Sequence, residues 1–501
     1  MYDLKGYVRK LFEHPRQGML SRVILRTFKL IPPFQSLVLA KKGEFTRPLA
    51  LLRVGCFGIS EVSKLKLRLA DMKSYLDNYH FTDIESREGK GICKPYNGNV
   101  VCVFHSCGAY DPSGYASRSS ALIEALKHQG VNVHAVVRPG YPWDLPKHNF
   151  KLKCESKEYH GISFTFFPRS PVTLYSPESD YIDSYAEQLC NYAEAKDVSV
   201  FHAASNYLNG IAVAKAGRKL GVKSIYELRG LWHITKAFSV QGYESSEHYQ
   251  YVEKRELEAC IAVDHVVTLS EAMAEWLAEK GVCRNKISVV GNATFLPKQI
   301  DEDQVREKVR ERYGIPFDAK VIGYLGSLVE YEGLDLLIQL HARTIEKKRP
   351  YLLIVGGGKQ DISLKKLAKS LGAENRVIFT GRVDSKDVSA YYLAMDAVAL
   401  PRKDHLLTRL VPAIKPFEVM AHNRPLLISR PLAQALGDTV PKSGYRVVDF
   451  EQAPCLFDVL SSVVYESNNN RVPTWQSRAL ELLNVYKKTT SMQEEPSWGE
   501  H

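Results

Sequence analysis

Two successive runs of short apolar strands and intervening helices constrain this 501-residue chain more than any other sequence feature. The first run comprises "NVVCVF", "VNVHAVVR", "SVFHA", "KSIYEL" and "HVVTLS", and the second comprises "KVIGYLGS", "YLLIVGGG", "RVIFTGRV", "AVALPR" and "PLLIS". Strands that are apolar on both faces are typical of parallel sheets covered by helices. The pattern therefore predicts an α/β protein with two doubly wound, Rossmann-like domains that face each other.

The chain is too long for one hydrophobic core, so we divide it into five predicted parts. Residues 1–95 are predicted to form a mostly helical, basic extension. Residues 96–300 form the first α/β domain and residues 301–473 the second. Residues 474–488 are predicted to be a helix that packs back toward the first domain, and residues 489–501 a polar tail.

The composition, 45% hydrophobic and 25% charged, is that of a soluble globular protein. No segment has the roughly 18 uncharged apolar residues that a spanning helix needs, and the N-terminus lacks the pattern of a secretory signal. Nine cysteines without paired spacing argue against a disulfide framework or a zinc site. These features together predict a cytoplasmic protein.

The net charge of +11 calls for an anionic partner: nucleic acid, anionic lipid or a phosphorylated substrate. No nucleic-acid-binding motif is present, so nucleic acid is not expected. Residues 1–35 carry seven Lys and Arg, and within them "MLSRVILRTFKLI" has one apolar helical face. This segment suits a helix on the inner face of the plasma membrane. It equally suits a helix packed on the body of the protein with a solvated basic face.

Four consecutive strand ends of the second run offer groups that suit a nucleotide. Gly326 and Ser327 follow its first strand, "IVGGGK" and "FTGRV" end the next two, and Arg402 follows the fourth. Bare backbone and cations suit a diphosphate, while Glu418, one turn after Lys415, suits the hydroxyls of a ribose. Taken singly, each glycine also suits a turn, and Lys415 with Glu418 a helical surface pair.

A compact cluster, "YELRGLW", ends a strand of the first run. Glu227 and Arg229 suit either acceptor binding or a buried ion pair of the scaffold, and Trp232 suits stacking on a sugar ring. His105 follows the first strand, where it suits either the mouth of a cleft or a capped position in the core.

These motifs, together with "VVTLSEAMAEWLAEKGVCRNKISVVGNA", "YLGSLVEYEGLDLLI" and "IKPFEVMAHNRPLLIS", resemble the retaining nucleotide-sugar glycosyltransferases of family four. The segments "SGYASRSSALIEALKHQGVNVHAVVRPGYP" and "FHAASNYLNGIAVAKAGRKLGVKSIYELRGLW" resemble the branch associated with bacterial exopolysaccharide and capsule synthesis. The resemblance spans roughly residues 97–488. It implies the GT-B fold, preceded here by the helical N-terminal extension.

The resemblance implies roles for individual positions. The predicted catalytic residues are Arg402, Lys415 and His202. The predicted donor-binding residues are Glu418, Gly326, Ser327, Gly356, Arg382, Val383 and Gly114. Acceptor binding is predicted for His105, Tyr115, Arg118, Glu227, Arg229 and Trp232.

The chain departs from the family pattern at three places. Leu410 stands where the family has a first glutamate, and Ala204 where it has a second histidine. Ser327 and Glu332 replace the usual Arg and Lys after the first strand of the second domain.

The resemblance implies a retaining hexosyltransferase that moves a sugar from a nucleotide-sugar donor to a glycan or lipid-linked acceptor in bacterial surface polysaccharide synthesis. No metal or other cofactor is expected, because cations and backbone N–H groups can stabilise the departing diphosphate. Two alternatives stay open: a non-catalytic GT-B subunit that scaffolds a polysaccharide-synthesis complex, and a sugar-nucleotide epimerase or hydrolase on the same fold.

Overall fold

The computed structural model describes residues 39–40, 42–53, 60–78, 94–145, 155–168, 172–174, 176–297, 301–461 and 472–491. The chain divides into two compact units. The first comprises Met1–Val267, Leu277–Ser288 and Leu483–His501, and the second comprises Thr268–Trp276 and Val289–Leu482. The helix predicted within residues 1–35 lies outside the described residues.

The first unit is built on an eight-stranded sheet. Its strands are β1 (Asn99–Phe104), β2 (Asn132–Val137), β3 (Ser156–Tyr159), β4 (Ile162–Phe166), β5 (Val200–Ala204), β6 (Lys223–Leu228), β7 (His265–Thr268) and β8 (Ile287–Val289). They lie in the order β3-β4-β2-β1-β5-β6-β7-β8. Strand β1 pairs in parallel with β2 and β5, and β5 pairs in parallel with β6. The predicted parallel α/β sheet is confirmed.

One edge of this sheet is an antiparallel hairpin, β3–β4, that the sequence pattern did not predict. Tyr159 pairs with Ile162 across a two-residue turn. Both turn residues have positive φ, 50° at His160 and 70° at Gly161. This is the requirement of a type I′ turn, which Asn-Gly and Asp-Gly signal more strongly than His-Gly does.

Helices with defined bounds precede residue 301 among the described residues. They are α1 (Thr46–Arg53), α2 (Ser60–Asn78), α3 (Gly114–His128), α4 (Glu178–Glu194), α5 (Tyr207–Leu220), α6 (Trp232–Ser239), α7 (Glu247–Ala262) and α8 (Glu271–Glu279). Polar side chains join α1 and α2 to α7: Glu247 accepts the hydroxyl of Thr46 at 2.6 Å, and Tyr75 donates to Glu258 at 2.7 Å. Within the part of the chain that the structure describes, no helix is long and apolar enough to cross a membrane.

The second unit is built on a six-stranded parallel sheet. Its strands are β9 (Val321–Leu325), β10 (Tyr351–Val355), β11 (Val377–Gly381), β12 (Ala397–Leu400), β13 (Leu426–Ile428) and β14 (Arg446–Val447), in the order β11-β10-β9-β12-β13-β14. The later helices are α9 (Glu302–Arg312), α10 (Leu334–Arg343), α11 (Asp361–Ser370), α12 (Val388–Ala394), α13 (Leu406–Leu410), α14 (Lys415–Ala421), α15 (Arg430–Leu436), α16 (Leu456–Ser461) and α17 (Trp475–Ser491). Every pair of neighbouring strands runs parallel.

The core of the second unit holds its strand ends in place. Ile322, Ile354 and Leu427 from the sheet are fully buried, as are Leu337 and Phe417 from the covering helices. Burying one such side chain fully contributes about 1.5–3 kcal/mol. The loops that follow these strands therefore start from fixed positions.

Both sheets reverse their strand order beside their first strand. In the first unit, β2 and β5 flank β1, and in the second, β10 and β12 flank β9. Such a reversal leaves a crevice at the carboxyl ends of the strands, which is where ligands bind in open α/β sheets. His105 follows β1 there, while Gly326 and Arg402 come just after β9 and β12.

Candidate functional site

Two glycines bring the backbones of adjoining strand ends in the second unit close together. Gly326 has a φ of 151° and donates its N–H to the carbonyl of Val355 at 2.9 Å. Gly356 has a φ of 135° and donates to the carbonyl of Gly381 at 2.9 Å. A Cβ on Gly356 would lie 1.9 Å from the carbonyl oxygen of Gly326. Only glycine fits, and the edge is left without side chains.

Lys415, the first residue of α14, crosses the open side of Gly326. A Cβ on Gly326 would lie 2.3 Å from Cε of Lys415 and 2.7 Å from its Nζ. Nζ donates to the hydroxyl of Tyr324 at 2.8 Å, and that hydroxyl donates to the carbonyl of Ser327 at 2.9 Å. The fold thus brings Lys415 to Gly326 and Ser327, which lie far from it in sequence.

A buried carboxylate, Glu332, joins the two cations predicted to act on the diphosphate. Its Oε1 accepts from Nη2 of Arg402 at 3.0 Å, and its Oε2 lies 2.9 Å from Nζ of Lys415. The side chains of Arg402, Lys415 and Glu332 are 10%, 16% and 4% exposed. Arg402 also donates Nη1 to the carbonyl of Val411 at 3.0 Å, while its buried Nε has no hydrogen-bond partner.

Charge and burial act against each other within this cluster. Burial alone would raise the pKa of Glu332, but Arg402 and Lys415 lower that pKa to about 2. Burial lowers the pKa of Lys415 below its ordinary value, and the neighbouring Glu332 carboxylate offsets only part of that effect. The carboxylate is therefore ionised at neutral pH.

Glu418 lies one turn along α14 from Lys415. Its Oε2 accepts a hydrogen bond from the hydroxyl of Tyr392 at 2.8 Å. Burial raises the pKa of the Glu418 carboxyl above its ordinary value, although the Tyr392 hydrogen bond and Lys415 oppose the rise. One oxygen of the Glu418 carboxyl therefore accepts a hydrogen bond from the protein, and the carboxyl has a second oxygen to offer to a hydroxyl donor.

Two further predicted donor-binding residues, Arg382 and Val383, follow β11. Arg382 is exposed, and its Cγ would lie 3.2 Å from a Cβ on Gly357. Val383 packs at the margin of the core.

Leu410, which replaces the first glutamate of the family, is buried, and its carbonyl accepts from the hydroxyl of Ser270 at 2.6 Å. That position contributes apolar packing and a backbone acceptor.

The first unit has its own buried ion cluster, centred on Glu227 at the end of β6. Arg118 donates Nε and Nη2 to Oε1 of Glu227 at 2.9 and 2.6 Å, and Arg229 donates Nε to Oε2 at 2.6 Å. Burial would raise the pKa of Glu227, but the two guanidiniums hold it well below the ordinary range. Arg229 also donates Nη1 to the hydroxyl of Ser119 at 2.6 Å.

His202 belongs to the same cluster and is 3% exposed. Its Nδ1 lies 2.7 Å from the hydroxyl of Tyr486 on α17, and its Nε2 lies 3.4 Å from Oε2 of Glu227. The structure places the ring between protein groups rather than on the surface of the unit. Its catalytic role stays a prediction; Nδ1 pairs with Tyr486, and the buried Nε2 has no hydrogen-bond partner.

A second group of predicted acceptor residues surrounds the end of β1. The hydroxyl of Tyr115 accepts the backbone N–H of His105 at 3.0 Å, and the His105 ring meets Trp232 edge-on with 4.8 Å between centroids. Burial, reinforced by Arg138, lowers the pKa of His105 well below its ordinary value, and its Nδ1 has no hydrogen-bond partner. Gly114 is exposed at the start of α3, away from this contact network.

The sequence reasoning treated Glu332 as a departure from a pattern and did not assign it to the site. It likewise missed Tyr324 and Tyr392, which hold Lys415 and Glu418. Their partners lie 91 and 26 residues away along the chain. The hydrogen bonds of Tyr324 and Tyr392 therefore become visible only in the folded structure.

Two solved structures resemble the fold of this chain. Sucrose-phosphate synthase from Thermosynechococcus elongatus superposes with a TM-score of 0.58 at 17% identity, covering 78% of this chain and 98% of that one. HepE from Anabaena, solved in complex with UDP, gives a TM-score of 0.55 at 16% identity, covering 78% and 97%. At these identities the likeness shows the fold, and the class it defines is the GT-B fold.

Family models agree with this class. Residues 113–293 match the glycosyl transferase 4-like domain, and residues 305–431 match the glycosyl transferases group 1. The two units therefore carry glycosyltransferase domains of the kind that the sequence motifs predicted.

Curated relatives match parts of the chain. An uncharacterised glycosyltransferase from Haemophilus influenzae is 33% identical over 171 residues, which are 34% of this chain and 42% of the relative. A D-inositol 3-phosphate glycosyltransferase from Corynebacterium urealyticum is 25% identical over 301 residues, which are 54% of this chain and 69% of the relative. The chain thus spans less than half of the Haemophilus protein.

Proposed function

We propose that the chain is a retaining glycosyltransferase that moves a sugar from a nucleotide-sugar donor to a glycan or lipid-linked acceptor in bacterial surface polysaccharide synthesis. The observation that carries the proposal is the pairing of Arg402 and Lys415 beside the bare backbone of Gly326. The complex of HepE with UDP supports a nucleotide donor, because HepE shares the fold.

The donor diphosphate binds beside the two cations. The ammonium of Lys415 donates one of its three N–H groups to Tyr324 and forms an ion pair with Glu332 at 2.9 Å. Arg402 adds a buried Nε–H without a protein partner. Both groups stabilise the negative charge that develops on the diphosphate as the bond to the sugar breaks.

Glu418 binds the ribose of the donor. Its carboxyl accepts from the vicinal hydroxyls, while Tyr392 fixes its orientation through the 2.8 Å hydrogen bond. The nucleobase lies beside Arg382 and Val383 at the end of β11.

The acceptor hydroxyl attacks from the face that the diphosphate leaves, so the anomeric configuration is retained. The departing phosphate accepts the proton of that hydroxyl. The reaction then needs neither a glycosidase-type carboxylate pair nor a metal ion, since the two cations provide the positive charge.

A calorimetric panel of nucleoside diphosphates tests this proposal. We expect saturable binding of one nucleotide to the wild type. Glu418→Ala should weaken that nucleotide about 10-fold or more through loss of the ribose contact, while barely changing the affinity for inorganic pyrophosphate, which has no ribose. If no nucleotide binds, or if Glu418→Ala weakens both probes equally, the donor assignment is wrong.

A non-catalytic scaffold subunit is the second candidate, and the buried Leu410 favours it because it removes one carboxylate from the donor site. Turnover separates the two. We expect release of nucleoside diphosphate from the matching nucleotide sugar, with retention of the anomeric configuration in the product by NMR. Nucleotide binding without any sugar transfer, with acceptor glycans supplied, would favour the scaffold.

We also propose a cytoplasmic location with residues 1–35 against an anionic membrane surface. The seven Lys and Arg of this segment support it. Co-sedimentation of the full chain with vesicles containing phosphatidylserine should fall steeply with added salt. Absence of co-sedimentation with such vesicles at low salt would contradict the proposal.

A further inference from the structure

Glu332 is unusual for a residue in an anion-binding site, because it brings a negative charge to the place where a diphosphate is to bind. Its two oxygens are 3.0 Å from Nη2 of Arg402 and 2.9 Å from Nζ of Lys415. Two positive charges and one negative charge leave the cluster with one net positive charge.

We propose that Glu332 is a positioning residue for the donor diphosphate, which holds Lys415 in its protonated form and fixes Lys415 and Arg402 side by side. The inference rests on the proposed function of this site. Glu332 does not touch the diphosphate and acts through the two cations.

The geometry supports this role over that of an ordinary surface pair. Glu332 is 4% exposed, whereas Glu330, two residues earlier in the same short 3-10 helix, is exposed. The Lys415 side chain lies over Gly326, where a Cβ would lie 2.3 Å from its Cε.

The protonation of Lys415 depends on its neighbours. Glu332 and Glu418 favour the charged form, while burial and Arg402 disfavour it. Tyr324 accepts a hydrogen bond from Nζ, and its own pKa lies well above the ordinary value because of burial. Of the groups that favour the charged ammonium, Glu332 is the nearest carboxylate, and removing it lowers the pKa of Lys415 further.

The experiment compares four full-length proteins: wild type, Glu332→Gln, Glu332→Asp and the matched control Glu330→Gln. Isothermal titration with inorganic pyrophosphate and with UDP is run from about pH 7 to pH 10. All four proteins are titrated with the same ligand at each pH, so ionisation of the ligand affects them equally and does not alter the differences between them.

We expect the alkaline loss of affinity to begin at least about one pH unit lower in Glu332→Gln than in the wild type, which is about a 10-fold difference in affinity on that limb. Glu332→Asp, which keeps the charge, should return most of the profile toward the wild type. Glu330→Gln should follow the wild-type profile. A purely structural role would lower affinity equally at every pH.

Three results overturn the inference. Glu332→Gln with the wild-type pH profile would mean that Glu332 does not hold the proton on Lys415. Failure of Glu332→Asp to move the profile back, although it folds with the wild-type circular dichroism spectrum, would mean that charge is not the operative property. Absence of pyrophosphate and nucleotide binding in the wild type would overturn the proposed function as well, and thereby distinguish that failure from the first two.

Discussion

The two units each bury one carboxylate between two cations at the end of their strands, yet the two clusters differ in what surrounds them. In the first unit, the side chains of Arg118 and Arg229 are 2% and 6% exposed, and Arg229 donates further to Ser119 and to the carbonyl of Tyr115. In the second unit, Arg402 and Lys415 retain 10% and 16% of their exposure beside a bare backbone edge.

The second cluster has a lysine where the first has a second arginine, and the clusters also differ in their neighbours. Large side chains, among them Tyr115 and Phe104, cover the guanidinium of Arg229 at 4.9 and 5.7 Å from its carbon to the ring centroids. Rings also lie against the cations of the second cluster, with Tyr324 4.6 Å from Nζ of Lys415 and Tyr331 5.6 Å from the guanidinium carbon of Arg402. There, however, Lys415 also passes over Gly326, which has no side chain. An ion cluster enclosed by side chains stabilises a fold, and the same cluster beside glycines is suited to bind an anion.

The largest expected effect is on the stability of the first cluster. Glu227→Gln leaves Arg118 and Arg229 buried without a counterion, so we expect the free energy of unfolding to fall by about 3–5 kcal/mol. Denaturant titration measures it, with Glu124→Gln on the exposed side of α3 as the control. A loss under about 1 kcal/mol would mean that this cluster is not a structural one.

The second cluster should respond in binding rather than in stability. Removing a charged hydrogen-bond donor costs about 1.5–3 kcal/mol, so Lys415→Ala should weaken UDP by about 10-fold to 150-fold. Lys366→Ala, an exposed lysine on α11, is the control for general loss of positive charge. Equal weakening by the two variants, measured by calorimetry, would point to non-specific attraction.

A smaller loss is expected where the bare edge acquires a methyl group. Gly356→Ala meets the carbonyl of Gly326 and forces a strained φ, so stability should fall by about 1–3 kcal/mol and UDP affinity should fall with it. Gly372→Ala has a positive φ of 62° but open space around its Cβ. The Gly372→Ala variant should lose less stability than Gly356→Ala when both are compared by thermal unfolding, and it should bind UDP normally. If Gly372→Ala lost more stability than Gly356→Ala, the close approach of the Gly326 and Gly356 backbones would be unimportant.

The smallest expected effect is that of metal removal. Because Arg402 and Lys415 provide the positive charge for the diphosphate, sugar transfer in EDTA should match that in added Mg²⁺ within about twofold. Activity that disappears in EDTA and returns with Mg²⁺ would assign the charge stabilisation to a metal instead.

Sequence reasoning predicted the parts of the fold that depend on local patterns. The ten quoted strand segments contain β1, β2, β6, β7, β9 to β13 and all of β5 except Ala204, because continuous apolar runs between helices leave few alternatives. It missed β4, β8, the two-residue β14 and β3, whose sequence "SKEY" is polar and mostly exposed. Edge strands with few apolar residues give no burial signal.

The site was predictable in part. Gly326, Lys415 and Glu418 could be placed together from strand-end logic, since successive parallel strands end at one edge. The contacts of Glu332 could not, because they join residues 70 and more positions apart through side-chain directions that no pattern encodes. For the same reason, the burial of His202 between Tyr486 and Glu227 required the structure.

The most direct test of the contrast between the two clusters is an experimental structure of the full chain with the nucleoside diphosphate selected by calorimetry. We expect the diphosphate within hydrogen-bond distance of Lys415 Nζ and Arg402, with Arg118 and Arg229 still bound to Glu227. A diphosphate bound to Arg118 or Arg229, with Arg402 and Lys415 contacting only Glu332, would contradict it.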